Sequence, residues 1–234
     1  MENLADVSAG EPLFRAGATR AGRHEMRACI LRQVASILAD RPIDQLNMQA
    51  MARLTGISLW ALRYHFGTFE GLFRAAVMHM MEQAQAGLPS CRPRQNLSPQ
   101  PTNTVVGAIQ AYASALRKAV STTEYRSMVC LVLRYGSAHR WIRDAYERDI
   151  VGKICVELSD HVLAVSERVG TPILFRDGVT RRFHRRIETE FVLRDILSPL
   201  EALPEEASES LLRDIVHEAF LGTYCFDWRD TNAA

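Results

Sequence analysis

The chain has 234 residues, 47% of them apolar and 24% charged, which is enough to bury one large core or two small ones and excludes global disorder. Its formal net charge of +1 gives no reason by itself to expect a polyanionic partner, and no apolar window is long enough for a membrane span or a secretory signal, so a cytoplasmic protein without a membrane partner is expected. The five cysteines (Cys29, Cys91, Cys130, Cys155, Cys225) are scattered without C-x-x-C spacing, which predicts free thiols in a reducing compartment, no metal site and no disulfide framework.

The charge is unevenly spread. Residues 15–66 hold eight arginines (Arg15, Arg20, Arg23, Arg27, Arg32, Arg41, Arg53, Arg63) against Glu25, Asp40 and Asp44, an excess of five positive charges, so the rest of the chain is about four negative. A near-neutral average can hide a basic face of this kind.

Residues 1–21 are rich in Gly and Ala without a period and are read as a flexible basic arm. Its arginines are candidates for phosphate or minor-groove contacts, the alternative being a solvated arm. From Gly22 to Asp40 the apolar residues Met26, Cys29, Ile30, Val34, Ile37 and Leu38 recur at steps that predict an amphipathic helix, and Pro42 follows its end. Two short helices are predicted at Met48–Thr55 and Leu59–His65. A longer one follows at Phe69–Ala86, with Leu72, Phe73, Ala76, Val77 and Met80 on one side.

The stretch 87–103 contains four prolines and reads as a linker loop. Helices are then expected near Thr104–Val120 and Glu124–Gly136, and one of about 45–50 Å over roughly Ser137–Val169, closed by Gly170 and Pro172. Asp177-Gly178 between apolar runs is a hairpin signal, so a small β-hairpin near 172–184 and an irregular basic loop are both open. The arginines at 176, 181, 182, 185 and 186 suit an anionic partner or a solvated surface. Final helices fit near Arg186–Leu197 and Glu205–Phe226. The expected class is all-α: an N-terminal helical unit at 22–68, a connecting helix at 69–86, and a helical domain at 104–230.

The stretch "NMQAMARLTGISLWALRYHF", Asn47–Phe66, carries the functional signal. Asn47 and Ser58 suit helix N-caps, and Gly56 suits a left-handed turn between the two short helices. This is the layout of a helix-turn-helix. On a wheel at 100° per residue, Leu62 and Phe66 fall together and face the core. Trp60 and Tyr64 then point outward, flanked by Arg63 and Ala61. An arginine can fork onto guanine or phosphate, a tyrosine hydroxyl reaches phosphate, and a tryptophan offers an apolar face and one N–H donor.

Residues 27–72 resemble the N-terminal DNA-binding domain of the TetR/AcrR family of transcriptional regulators. The positions that carry the resemblance are Ile30, Leu31, Ala35, Leu38 and Ala39, then Asn47, Met51 and Ala52, the turn Gly56-Ile57-Ser58, and Leu62, Tyr64, His65, Phe66, Gly67, Glu70 and Leu72. The sequence departs from the family pattern at Leu59, Trp60, Arg63 and Phe69, which implies an unusual DNA site. The resulting candidate DNA-contacting set is Gln49, Ser58, Leu59, Trp60, Ala61, Arg63, Tyr64, His65 and Thr68.

The resemblance implies an all-helical C-terminal domain that binds a small-molecule effector and forms a homodimer, acting as a repressor on palindromic double-stranded DNA. The apolar stripe Leu211, Leu212, Ile215, Val216, Ala219 and Phe220, with Ile187, Phe191 and Val192, suits a four-helix dimer interface or an internal core. Tyr112, Met128, Tyr135, Trp141, Tyr146 and His161 are candidates to line an apolar effector cavity, with ordinary core packing as the alternative. Control by a protein partner instead of a small molecule is also open. No catalytic or cofactor motif is present, so neither an enzyme nor a cofactor is expected.

Overall fold

The computed structural model describes residues 20–89, 104–170, 178–197 and 203–221, and among these the chain forms helices packed on helices without a strand. The arm up to residue 19, most of the proline-rich stretch and the segment holding Asp177 lie outside the described residues, as do Cys91 and Cys225.

The first helix, α1, spans Arg20–Asp40. Its buried stripe is Ile30, Leu31, Val34, Ala35 and Leu38, while Met26 and Cys29 are exposed, so the inward face begins later than the apolar spacing suggests. Helices α2 (Met48–Thr55) and α3 (Leu59–Phe66) are joined at Gly56, whose φ of 68° is the left-handed conformation a short inter-helix turn needs. The Asn47 side chain accepts from Ala50 N at 2.8 Å and the Ser58 hydroxyl from Ala61 N at 3.1 Å, so both N-caps form as the sequence predicts.

Helix α4 (Phe69–Ala86) buries Leu72, Phe73, Ala76, Val77, Met80, Met81 and Ala84. So wide an apolar face is needed because α4 packs on α1 on one side and on α6 (Thr123–Tyr135) on the other. Helix α5 (Val105–Val120) precedes α6 and packs on α8 and α11. The long predicted helix is realised as α7 (Arg140–Tyr146), a π turn at Glu147–Val151, and α8 (Gly152–Val169). It therefore starts later than Ser137 and carries an i→i+5 irregularity that periodicity cannot show.

The region near 172–184 is corrected. Gly178, at a φ of 82°, leads directly into α9 (Val179–Glu188), so the described half of the expected hairpin is helical. Val179, Phe183 and Ile187 recur every fourth residue and are buried, a helical period interrupted in the sequence by paired arginines. Helix α9 continues through a π turn at Thr189–Leu193 into α10 (Arg194–Leu197), and α11 (Glu205–Val216) ends in a third π turn at His217–Leu221.

The apolar residues considered for a dimer interface are occupied within the protomer. Leu212, Ile215, Val216, Phe220, Ile187, Phe191 and Val192 all belong to the same buried cluster that starts at Ile30. Arg117 of α5 grips Glu205 at the start of α11 with both terminal nitrogens, at 2.5 and 3.3 Å, the forked geometry favoured for an arginine and a carboxylate. None of the helices among the described residues is long and apolar enough to cross a membrane.

Candidate nucleic-acid interface

The outer face of α3 follows from what presses on its inner face. Leu62 and Ala61 are buried at 0% and 1% exposure, and Leu59, His65 and Phe66 are half-buried. At 100° per residue this leaves an exposed arc only about 100° wide, occupied by Trp60, Arg63 and Tyr64. Trp60 is 68% exposed and Tyr64 61%.

Ala61, placed in the candidate contact set, is corrected. It sits at the edge of the buried arc, where a methyl side chain lets α3 approach its neighbours closely, and it is covered by them. Leu59, also in the candidate contact set, is partly buried and packs against the core cluster. Gln49, Ser58 and Thr68 are exposed. The hydroxyls of Ser58 and Thr68 serve as N-cap acceptors of α3 and α4, which leaves their O–H groups free to donate outward.

Trp60 and Tyr64, one helical turn apart, lie with ring centroids 5.3 Å apart and planes inclined by 13°. The edge of His65 meets Tyr64 at 5.2 Å. Burial holds the His65 pKa below its ordinary value, and the Arg27 guanidinium adds to this. Arg27 itself lies over the Phe66 ring at 5.2 Å, a cation–π contact that ties α1 to the end of α3.

The orientation of α3 toward α4 is set at Gly67. Its φ of 71° and ψ of −77°, with Thr68 N donating to Phe66 O at 2.9 Å, form a γ-turn of the positive-φ kind. Gly67 N also donates to Arg63 O at 2.8 Å. A side chain in this conformation would be strained even though the space beside the glycine is open.

Helix α6 holds the last turn of α1. The Tyr135 hydroxyl bonds to Leu38 O and Arg41 O, and Arg134 Nη1 donates to Ala39 O at 2.5 Å. The carbonyls at a helix C-terminus lack intrahelical donors, so two side chains of α6 here complete the end of α1. Arg74 of α4 lies over the Trp141 ring of α7 at 5.0 Å.

None of the six effector candidates lines the cleft between α1, α4 and α6. Tyr112 donates to Ile154 O at 3.4 Å and its ring lies 6.1 Å from His161. Burial lowers the His161 pKa, partly offset by its hydrogen bond to the Ala108 backbone. Tyr135 serves the α1 terminus, Trp141 packs edge-on against Phe73 at 6.0 Å, and Met128 is fully buried. Tyr135 and Trp141 share the Phe73 ring, and Tyr112 faces His161.

Tyr146 leads to a group that sequence reasoning missed. Its hydroxyl donates to Glu188 Oε1, which also accepts from the Tyr125 hydroxyl at 3.2 Å. Tyr125 Oη lies 3.1 Å from His184 Nε2, and the buried His184 Nδ1 has no partner among the described residues. Burial raises both tyrosines well above their usual range, raises the Glu188 carboxyl, and lowers His184 to about 4, aided by Arg185 and Arg181. Tyr146 and Glu188 each stand immediately before a π turn. The partners are 21 to 63 residues apart in sequence, so no local pattern announces them. Among the described residues no group of His, Cys, Asp and Glu is arranged to hold a metal ion.

No protein-family model matches the sequence, and no curated protein matches it. Solved structures do. A TetR transcriptional regulator from Agrobacterium tumefaciens is 17% identical with a TM-score of 0.57, the match covering 84% of this chain and 93% of that one. A Rhodococcus sp. protein assigned to the same family is 20% identical with a TM-score of 0.58, covering 83% and 98%. A TetR family transcriptional regulator from Pseudomonas syringae pv. tomato str. DC3000 is 11% identical with a TM-score of 0.58, covering 88% and 98%. At such identities the likeness is one of architecture, and over most of its length the chain has the fold of the TetR-family transcriptional regulators.

Proposed function

We propose that the protein is a sequence-specific DNA-binding transcriptional regulator, a repressor that reads duplex DNA as a homodimer and is released by a small molecule. The observation that carries this reading is the outward Trp60–Arg63–Tyr64 face on the second helix of a capped helix-turn-helix, in the arginine-rich part of the chain. An aromatic pair left exposed among the described residues suits the apolar and polar edges of a major groove. Arg63 serves as the base or phosphate reader, Tyr64 and the Thr68 hydroxyl reach phosphates, and Trp60 offers its ring to a thymine methyl or sugar. Solved regulators with the same fold carry "transcriptional regulator" in their descriptions, which supports the assignment.

A two-fold dimer would read half-sites about 34 Å or a multiple apart. Control by an effector needs a connection from the C-terminal helices to α3. The supporting geometry is α4, packed on both α1 and α6, together with the Tyr135 and Arg134 bonds to the end of α1. A ligand that binds one arrangement of these helices better than another would shift the population that fits DNA.

The experiment is selection of the purified protein against a random duplex library, read by sequencing. A palindromic motif with a fixed half-site spacing is expected. A folded protein that enriches no motif would overturn the reading and turn attention to control by, and recruitment through, a protein partner.

A further inference from the structure

A cleft of about 450 Å³ opens where α1, α4 and α6 meet. One stripe of α1 lines it from Arg32 to Asp40, His79 and Gln83 come from α4, and Thr123, Glu124 and Ser127 come from the start of α6. Its floor is the apolar pair Ala35 and Met80, both buried. The size is that of a site for a small molecule, and the mixture of an apolar floor with convergent polar groups is what such sites use.

Three features of the lining ask for a ligand. Arg32, Asp40 and Glu124 have no ion-pair partner within 4.0 Å among the described residues, although charges of both signs border one cleft. His79 Nε2 is buried without a hydrogen-bond partner among the described residues, a costly state that a ligand atom would relieve. Arg32 and Asp40 stand eight residues apart on α1, about 12 Å along the axis, make no ion pair with each other, and both border the cleft. Burial keeps the His79 pKa below its ordinary value, with Glu82 opposing and Arg32 and Arg27 reinforcing the shift.

We infer that this junction cleft binds a small zwitterion of amino-acid size, its carboxylate on Arg32 and its ammonium on Asp40 or Glu124. The site lies between the DNA-binding unit and the C-terminal domain rather than inside the latter. Ala39, whose carbonyl accepts from Arg134, and Asp40 lie at the end of α1, between the Leu38 and Arg41 carbonyls that accept from Tyr135. A molecule wedged between α1 and α6 therefore acts on the two helices that this contact joins, and α1 carries the displacement to α3 through Arg27 on Phe66. The regulatory consequence rests on the DNA-binding reading proposed above, whereas the site itself does not.

The test uses the full chain and the twenty free amino acids as probes, by isothermal titration calorimetry without DNA. At least one is expected to bind saturably, and its N-acetyl and carboxamide derivatives, Arg32→Gln, and Asp40→Asn combined with Glu124→Gln are each expected to weaken binding by at least about tenfold. Ser127→Phe, which fills the cleft, is expected to abolish it while leaving the helical circular dichroism intact. Absence of binding by all twenty, or binding that survives Ser127→Phe, overturns the site. Binding that leaves affinity for a selected duplex unchanged supports the site and overturns its coupling to DNA.

Discussion

Trp60 and Tyr64 stack face to face on the outside of α3, 5.3 Å between ring centres, while both stay mostly exposed. The pair spans one helical turn, so each ring limits the rotamers of the other before any partner arrives. A plate of two aromatic rings fixed in advance loses less entropy on binding than two mobile side chains. Removing it should therefore alter recognition more than folding. Trp60→Ala is expected to lower stability by at most about 1.5 kcal/mol, the scale of one aromatic pair, and to change the motif recovered from a random duplex library. Thermal denaturation and selection on the same preparation check this. A large fall in melting temperature with an unaltered motif would assign Trp60 to packing.

Arg63 shares the exposed arc with that pair and makes no ion pair among the described residues, so its guanidinium is available to the groove. Arg63→Ala should weaken binding to the selected duplex by about 1–3 kcal/mol and relax preference at one position if the side chain reads a base. Equal weakening on every sequence, with a shallower dependence on salt, would assign it to a phosphate. Fluorescence anisotropy at several salt concentrations separates these outcomes, and unchanged affinity removes Arg63 from the reader.

How far the sequence reaches is clear from particular residues. The bounds of α2 and α4 and the caps Asn47 and Ser58 are local matters of one turn, and local patterns give them. Ala61 is misplaced because a helical wheel shows direction but not how closely the neighbours approach. The helix at Val179 is hidden because Asp177-Gly178 imitates a hairpin turn while the arginines interrupt the run 179, 183, 187. The stripe on α11 is legible as apolar, but whether it meets its own chain or a second copy depends on elements far away in sequence. Within the protomer it meets Ile187, Phe191 and their neighbours. The group around Glu188 is invisible for the same reason.

Gly67 gives a test of backbone strain free of steric crowding. An added Cβ would meet nothing within 4 Å, yet φ is 71° at the centre of the γ-turn between α3 and α4. Gly67→Ala should therefore destabilise by about 1–3 kcal/mol through backbone conformation alone. Urea denaturation measures it, and an unchanged midpoint would mean that the turn relaxes without cost. Because the turn sets the angle between α3 and α4, the same variant should lose DNA affinity beyond its loss of stability.

His184 makes a prediction in pH. Burial, with Arg185 and Arg181 nearby, lowers its pKa from 6.5 to about 4. Between those values the unfolded chain takes up a proton that the folded chain refuses, so stability falls as pH drops through this window, by about 3 kcal/mol in full at 1.36 kcal/mol per pKa unit. Glu188 acts in the opposite sense. Its carboxyl is raised above 4.5, chiefly by burial, so its contribution is full below 4.5 and fades as pH rises through its folded value. The wild-type profile is the sum of the two. His184→Gln keeps a hydrogen-bonding group near Tyr125 but cannot titrate. Between pH 7 and pH 5 the wild type should lose about 2 kcal/mol more than this variant in urea denaturation. Glu188→Gln should instead steepen the acid loss, because it removes the opposing contribution and leaves that of His184. Parallel profiles for the wild type and His184→Gln would mean that this imidazole titrates alike in the folded and unfolded chain, and that Nδ1 meets water rather than the core.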